Sequence, residues 1–129
     1  MRKVALAFFT VAPLYGVVGM AWGAQMGMSG DHLMHPAHAH LNLLGLVLGG
    51  IMGAFYALAG EGVSNRLAWV NFWLSNLGVI IMTPVLAIIL AGNEAPPLLI
   101  AITLAEVLLI GGLIVFWINV LKLWKRPAA

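Results

Sequence analysis

The sequence contains no cysteine. Disulfides, thiolate metal sites, iron–sulfur clusters and cysteine nucleophiles are thereby excluded, which leaves redox chemistry, if any, to a bound cofactor. Charge is almost as scarce. Only 8% of the 129 residues are Asp, Glu, Lys or Arg, against 63% that are hydrophobic, and mean hydropathy is +1.05. A water-soluble domain carries about a quarter of charged residues, so the solvent of this chain is lipid. The net charge of +2 rests on six basic side chains. They sit near segment ends, too dispersed for the basic face that nucleic-acid binding requires.

Uninterrupted apolar sequence is what the chain has in quantity. Residues 4–25, 33–60 and 67–93 contain no Asp, Glu, Lys or Arg, and residues 95–121 contain only Glu106. Each run exceeds the roughly 20 residues a helix needs to cross the hydrocarbon core. Helices are the expected spanning form, because unpaired backbone groups in lipid are costly. The expectation is one all-α transmembrane domain over residues 1–129, a four-helix up-down bundle. Its helices are expected at about 4–24, 35–60, 67–92 and 97–121. The links at 26–31, 61–66 and 93–97 are short enough to force neighbouring helices antiparallel. Pro96 and Pro97 suit the first turn of the fourth helix, and Pro84 after Thr83 is expected to kink the third. Arg2-Lys3, an apolar run and the small residues at 21–24 imitate a signal peptide. The run is longer than a signal core, so it is read as the first crossing.

With four crossings, Arg2, Lys3, Arg66, Lys122, Lys125 and Arg126 all fall on one side. The positive-inside rule makes that side cytoplasmic. Both termini are then cytoplasmic, and Asp31, Glu94 and all four histidines lie toward the opposite face. In a bacterial plasma membrane that face is periplasmic. Trp22, Trp69 and Trp124 sit near helix ends as interfacial anchors do. Arg66 and the basic residues from Lys122 to Arg126 suit lipid headgroups.

His32, His35, His38 and His40 all fall within nine residues, at the mouth of the second helix. Pro36 suits its first turn, which puts His38 and His40 inside the helix. Ionisable residues at membrane depth are candidates for function. Two residues along a helix correspond to about 200°, so His38 and His40 point to nearly opposite faces. They cannot share an ion as an i, i+4 pair would. His38 lies on a stripe with Asn42, Gly45, Gly49 and Gly53, and His40 on one with Leu44, Val47, Ile51 and Phe55. The glycine stripe has two readings: a seat for a neighbouring helix, or a slot for a flat macrocycle such as a porphyrin beneath His38. A plainer reading makes the histidines a satisfied polar cluster, and the chain a cofactor-free subunit of a larger complex. A further class is copper handling, since Met26, Met28, Met34, His32 and His35 gather thioethers and imidazoles that suit that metal. Those methionines serve equally as adaptable apolar filler. Glu106, alone in the fourth apolar run, is expected inside the bundle, neutral or paired with Asn71, Asn76 or backbone beside Thr103.

His38-Ala39-His40-Leu41 followed by Gly45 resembles the His-x-His-Leu-x-x-x-Gly stretch in the catalytic subunit of heme–copper oxidases and nitric oxide reductases. The likeness covers about Met34 to Gly50. In that family the two histidines bind two hemes, one on each face of a single helix near the outer side. Its twelve helices form three arcs of four, and this chain resembles one arc. The resemblance implies a homotrimer holding b-type heme, with His38 of one chain and His40 of the next as axial ligands. Asn42, Gly45 and Gly49 would line the same cofactor. The copper-binding histidines of the family have no counterpart, because no histidine follows His40. Bis-histidine ligation leaves no open iron position. The resemblance therefore implies electron transfer or heme-linked sensing, and oxidase-like catalysis only if an open metal site is assembled.

Overall fold

The computed structural model describes residues 2–125; Arg126, assigned above to headgroup anchoring, lies outside the described residues. Among the described residues, four helices are long and apolar enough to cross a membrane: α1 (Lys3–Ser29), α2 (His35–Gly62), α3 (Asn65–Leu90) and α4 (Pro96–Trp124). The all-helical fold and the helix count agree with the hydropathy pattern.

The helix ends follow local chemistry. α1 runs past the expected boundary at residue 24 and takes in Met26 and Met28. It stops at Gly30, whose φ of 70° only glycine adopts cheaply, and the Gly30 amide donates to the Met26 carbonyl at 3.0 Å. The end is thus set by a left-handed glycine, not by the loss of hydrophobicity. α2 opens with Pro36 in its first turn, and Asp31 Oδ1 accepts from the Leu33 amide at 3.0 Å in the preceding turn. Ser64 caps α3 by accepting from the Leu67 amide at 3.3 Å. α3 stays helical through Pro84, and α4 opens on Pro96 and Pro97.

The middle of α2 is not α-helical. Leu41–Leu48, beginning directly after His40, winds as a π-helix. Such wide turns are rare and occur often at functional sites. His38 and His40 lie in the regular stretch before it.

α1 and α2 pack through reciprocal glycines. Gly45, Gly49 and Gly53 of α2 face Tyr15, Ala12 and Phe8, while Gly16, Gly19 and Gly23 of α1 face Leu46, Asn42 and His38. In lipid no hydrophobic force draws helices together, so this close approach supplies the dispersion that does. A Cβ at Gly45 would come within 2.6 Å of the Tyr15 ring, whereas one at Gly50 meets nothing within 4 Å. Gly45→Ala is therefore expected to destabilise the bundle by about 1–3 kcal/mol. Gly50→Ala is expected to stabilise it by about 0.5–1 kcal/mol through helix propensity alone. Unfolding titrations in mixed micelles would check both signs.

A core of Val4, Ala5, Phe8, Met52, Tyr56, Val63, Ala68 and Phe72 fills the end away from the histidines. A polar seam runs through the bundle. Tyr15 donates to Asn76 Oδ1 at 3.0 Å, Tyr56 donates to Asn71 Oδ1 at 3.1 Å, and Asn71 Nδ2 donates to the Gly112 carbonyl at 2.8 Å. These bonds tie α3 to each of the other helices. At the basic end, Arg2 donates to the Gly60 and Val63 carbonyls at 2.8 and 3.0 Å and closes the C-terminus of α2.

Glu106 departs from expectation. It is exposed on the outward side of α4 rather than held inside the bundle. The inward stripe of α4 is Ala105, Gly112 and Asn119, and Glu106 stands about 100° off it. Asn71 and Asn76 direct their amides to the Gly112 and Phe72 carbonyls instead.

Candidate metal-ligating histidines at the mouth of α2

Pro36 contributes the decisive local feature through its carbonyl. One helical turn later, His40 Nδ1 lies 2.7 Å from the Pro36 oxygen. A carbonyl only accepts, so Nδ1 carries the hydrogen and the neutral ring keeps its lone pair on Nε2. A metal-ligating histidine is commonly held this way, its second nitrogen bonded to a backbone carbonyl that fixes tautomer and ring direction. His40 is exposed on α2, on the same side as the exposed apolar residues Leu43, Val47 and Ile51.

His38 points the other way, as the spacing of about 200° requires. It is half-buried against α1, where a Cβ at Gly23 would come within 2.8 Å of Cε1. Asn42 Nδ2 donates to the His38 carbonyl at 3.1 Å and lies 3.2 Å from its Nδ1 and 3.4 Å from its Nε2. An amide nitrogen donates, so the imidazole nitrogen it meets must accept, and the ring hydrogen sits on the other. His38 is thus engaged between Asn42 and α1, while His40 is presented outward.

The remaining candidates separate. The His35 ring centroid stands 6.2 Å from that of His38. His32 is exposed in the link, where its carbonyl accepts from the His35 amide at 3.0 Å. Met34 is half-buried. Met26 is buried while Met28 is 84% exposed, so α1 does not bring these two thioethers to one face. Among the described residues, no three His, Asp or Glu side chains form a metal-ligand group. Asn42, Gly45 and Gly49, the residues expected beside a cofactor, all face α1.

Sequence reasoning missed the hydrogen bond from Asn42 to His38 and the matching glycines of α1. The glycines carried a legible signal, since Gly16, Gly19 and Gly23 recur at helical spacing. The π-helical stretch carried none. Comparison of the chain with family models, curated proteins and solved structures finds no match.

Proposed function

We propose that this protein is a membrane b-type heme protein in which His40 supplies an axial ligand, serving electron transfer or heme-linked sensing. The observation that carries the reading is the 2.7 Å contact from His40 Nδ1 to the Pro36 carbonyl, which leaves the Nε2 lone pair free on an exposed face. Support also comes from the apolar surface beside it. Leu43, Val47 and Ile51 are 60%, 48% and 54% exposed, as suits one face of a flat apolar macrocycle. The π-helical turn after His40 widens the helix at the same place.

Heme bound there supplies one-electron oxidation and reduction. The chain's own residues do the rest. The Pro36 carbonyl holds the His40 ring in one tautomer and raises its basicity as a ligand. The apolar ridge keeps water from the ligand face. His38 of a neighbouring chain would be the second ligand, its ring turning away from Asn42 to reach the heme. Repeated around a closed ring of three, each contact is heterologous, one face of a subunit meeting a different face of the next. The basic end, with Arg2, Arg66 and Lys122, faces the cytoplasm of a bacterial cell, and the histidines face the periplasm. A copper site on the methionines has less support, because Met26 and Met28 diverge.

Complementation tests this reading. Chains carrying His38→Ala and chains carrying His40→Ala are each expected to lack six-coordinate heme. Mixed before assembly, they should regain part of it at interfaces that unite an intact His38 with an intact His40. A monomer with full six-coordinate heme in detergent would contradict the ring, and mixtures with no recovered signal would contradict ligation across chains.

A further inference from the structure

Glu106 is an ionisable side chain within an apolar run that the proposed heme site does not use. It stands 12 residues after Glu94 and 16 before Lys122, the charges that flank its apolar run. A hydrocarbon core about 30 Å thick, centred between those charges, places Glu106 roughly 12 Å from its nearer edge. That distance exceeds the reach of a glutamate, whose stem is shorter than those of the lysine and arginine side chains that snorkel to the interface. A charged group at such depth is costly, and in membrane proteins it is commonly paired.

No described residue pairs it. Glu106 is exposed and makes no hydrogen bond or ion pair among the described residues. Thr103, one turn away, spends its hydroxyl on the Leu99 carbonyl at 2.9 Å. α4 is also the least covered helix: 11% of its most apolar stretch is buried, against 28–33% for the other three. Shallow apolar hollows lie along α4 on either side of Glu106 in the chain, one lined by Leu99, Thr103 and Val107 beside it and the other by Leu113 and Trp117 from two turns on.

A second copy of the chain offers no complement. Gly78 meets Leu109 and Ala105, Tyr15 bonds Asn76, and Gly45 meets Tyr15, so Glu106 lies near the level of Gly45. The outward residues near that level on the other helices, such as Leu14, Val17, Leu43, Val47 and Ile80, are apolar. The described Lys and Arg stand at the ends of the helices, and His40, about one turn nearer its end of the bundle, is taken by the proposed heme.

We infer that the face of α4 around Glu106 docks a transmembrane helix of another protein that carries a cationic side chain at matching depth. Charge complementarity gives the specificity, and the apolar hollows give the contact area.

The test uses synthetic probes and the full-length chain in phosphatidylcholine vesicles. One probe is an apolar helix of leucine and alanine with a single lysine at the depth of Glu106; the control has leucine in its place. Energy transfer between labelled chain and probe is expected to show about tenfold tighter association of the lysine helix. Glu106→Leu should abolish that preference, and Glu106→Gln should reduce it without abolishing it. Equal association of both probes, or an unchanged preference in Glu106→Leu, would overturn the inference. The chain has no cysteine, so Glu106→Cys provides an independent measurement. Rapid disulfide formation between two copies under an added oxidant, with no probe present, would assign the face to self-association and overturn it, whereas slow formation supports a foreign helix.

Discussion

If the proposed heme ligation holds, replacing His40 with alanine is expected to remove most of the heme that the protein takes up. The change deletes the imidazole whose Nδ1 is held by the Pro36 carbonyl at 2.7 Å and whose Nε2 lone pair stays free on an exposed face. Loss of only a ligand's supporting hydrogen bond weakens metal binding about 10–100-fold, so loss of the ligand itself should exceed that. His38→Ala should act differently. Its ring is engaged by Asn42 and pressed on Gly23, so its loss is expected to leave heme on His40 with an open sixth position. The two variants should therefore separate in the spectrum, one nearly colourless and one five-coordinate. Titration of heme into the purified variants checks this, with added imidazole expected to restore six-coordination in His38→Ala. Equal heme retention in His40→Ala and the unsubstituted protein would contradict the assignment.

A large effect on stability is also expected at Asn71. It is fully buried, accepts from Tyr56 at 3.1 Å, and donates to the Gly112 carbonyl at 2.8 Å and to Ser75 at 3.2 Å. One amide thus joins α2, α3 and α4 where no water competes. Asn71→Leu leaves the Tyr56 hydroxyl buried without its acceptor, a penalty of about 1–3 kcal/mol. Adding Tyr56→Phe removes that stranded donor. The double variant is expected to recover part of the loss, so the two changes should not add. Folded fraction against denaturing detergent measures the three variants. An additive double variant would mean that the Tyr56–Asn71 bond contributes little.

Much of this architecture was legible in the sequence, for physical reasons that also explain what was not. Charge-free runs longer than a bilayer is thick admit few structures other than helices, so the four crossings and their antiparallel order could be read directly. The opposed directions of His38 and His40 followed from helical angle alone. The glycine stripe of α2 was visible, but its occupant was not. Whether Gly45 and Gly49 seat a ring of α1 or another flat group depends on which helix arrives there, and that is a tertiary fact. The outward placement of Glu106 was missed for a related reason. A carboxylate in an apolar run was expected to turn inward, yet Ala105, Gly112 and Asn119 on the neighbouring stripe let α4 approach α3 closely and set its rotation. The contrast between the two histidines rests on single hydrogen bonds from Pro36 and Asn42. Residue types suggest such bonds but do not fix their partners.

The central claim is that this chain holds heme through His40, and the absorption spectrum of the purified protein tests it most directly. Expressed with ample heme and purified in mild detergent, the protein is expected to show a Soret band. On reduction it should gain a sharp α band, with about one heme per chain. A folded, fully helical protein that is colourless under those conditions, and that does not take up added heme, would contradict the account.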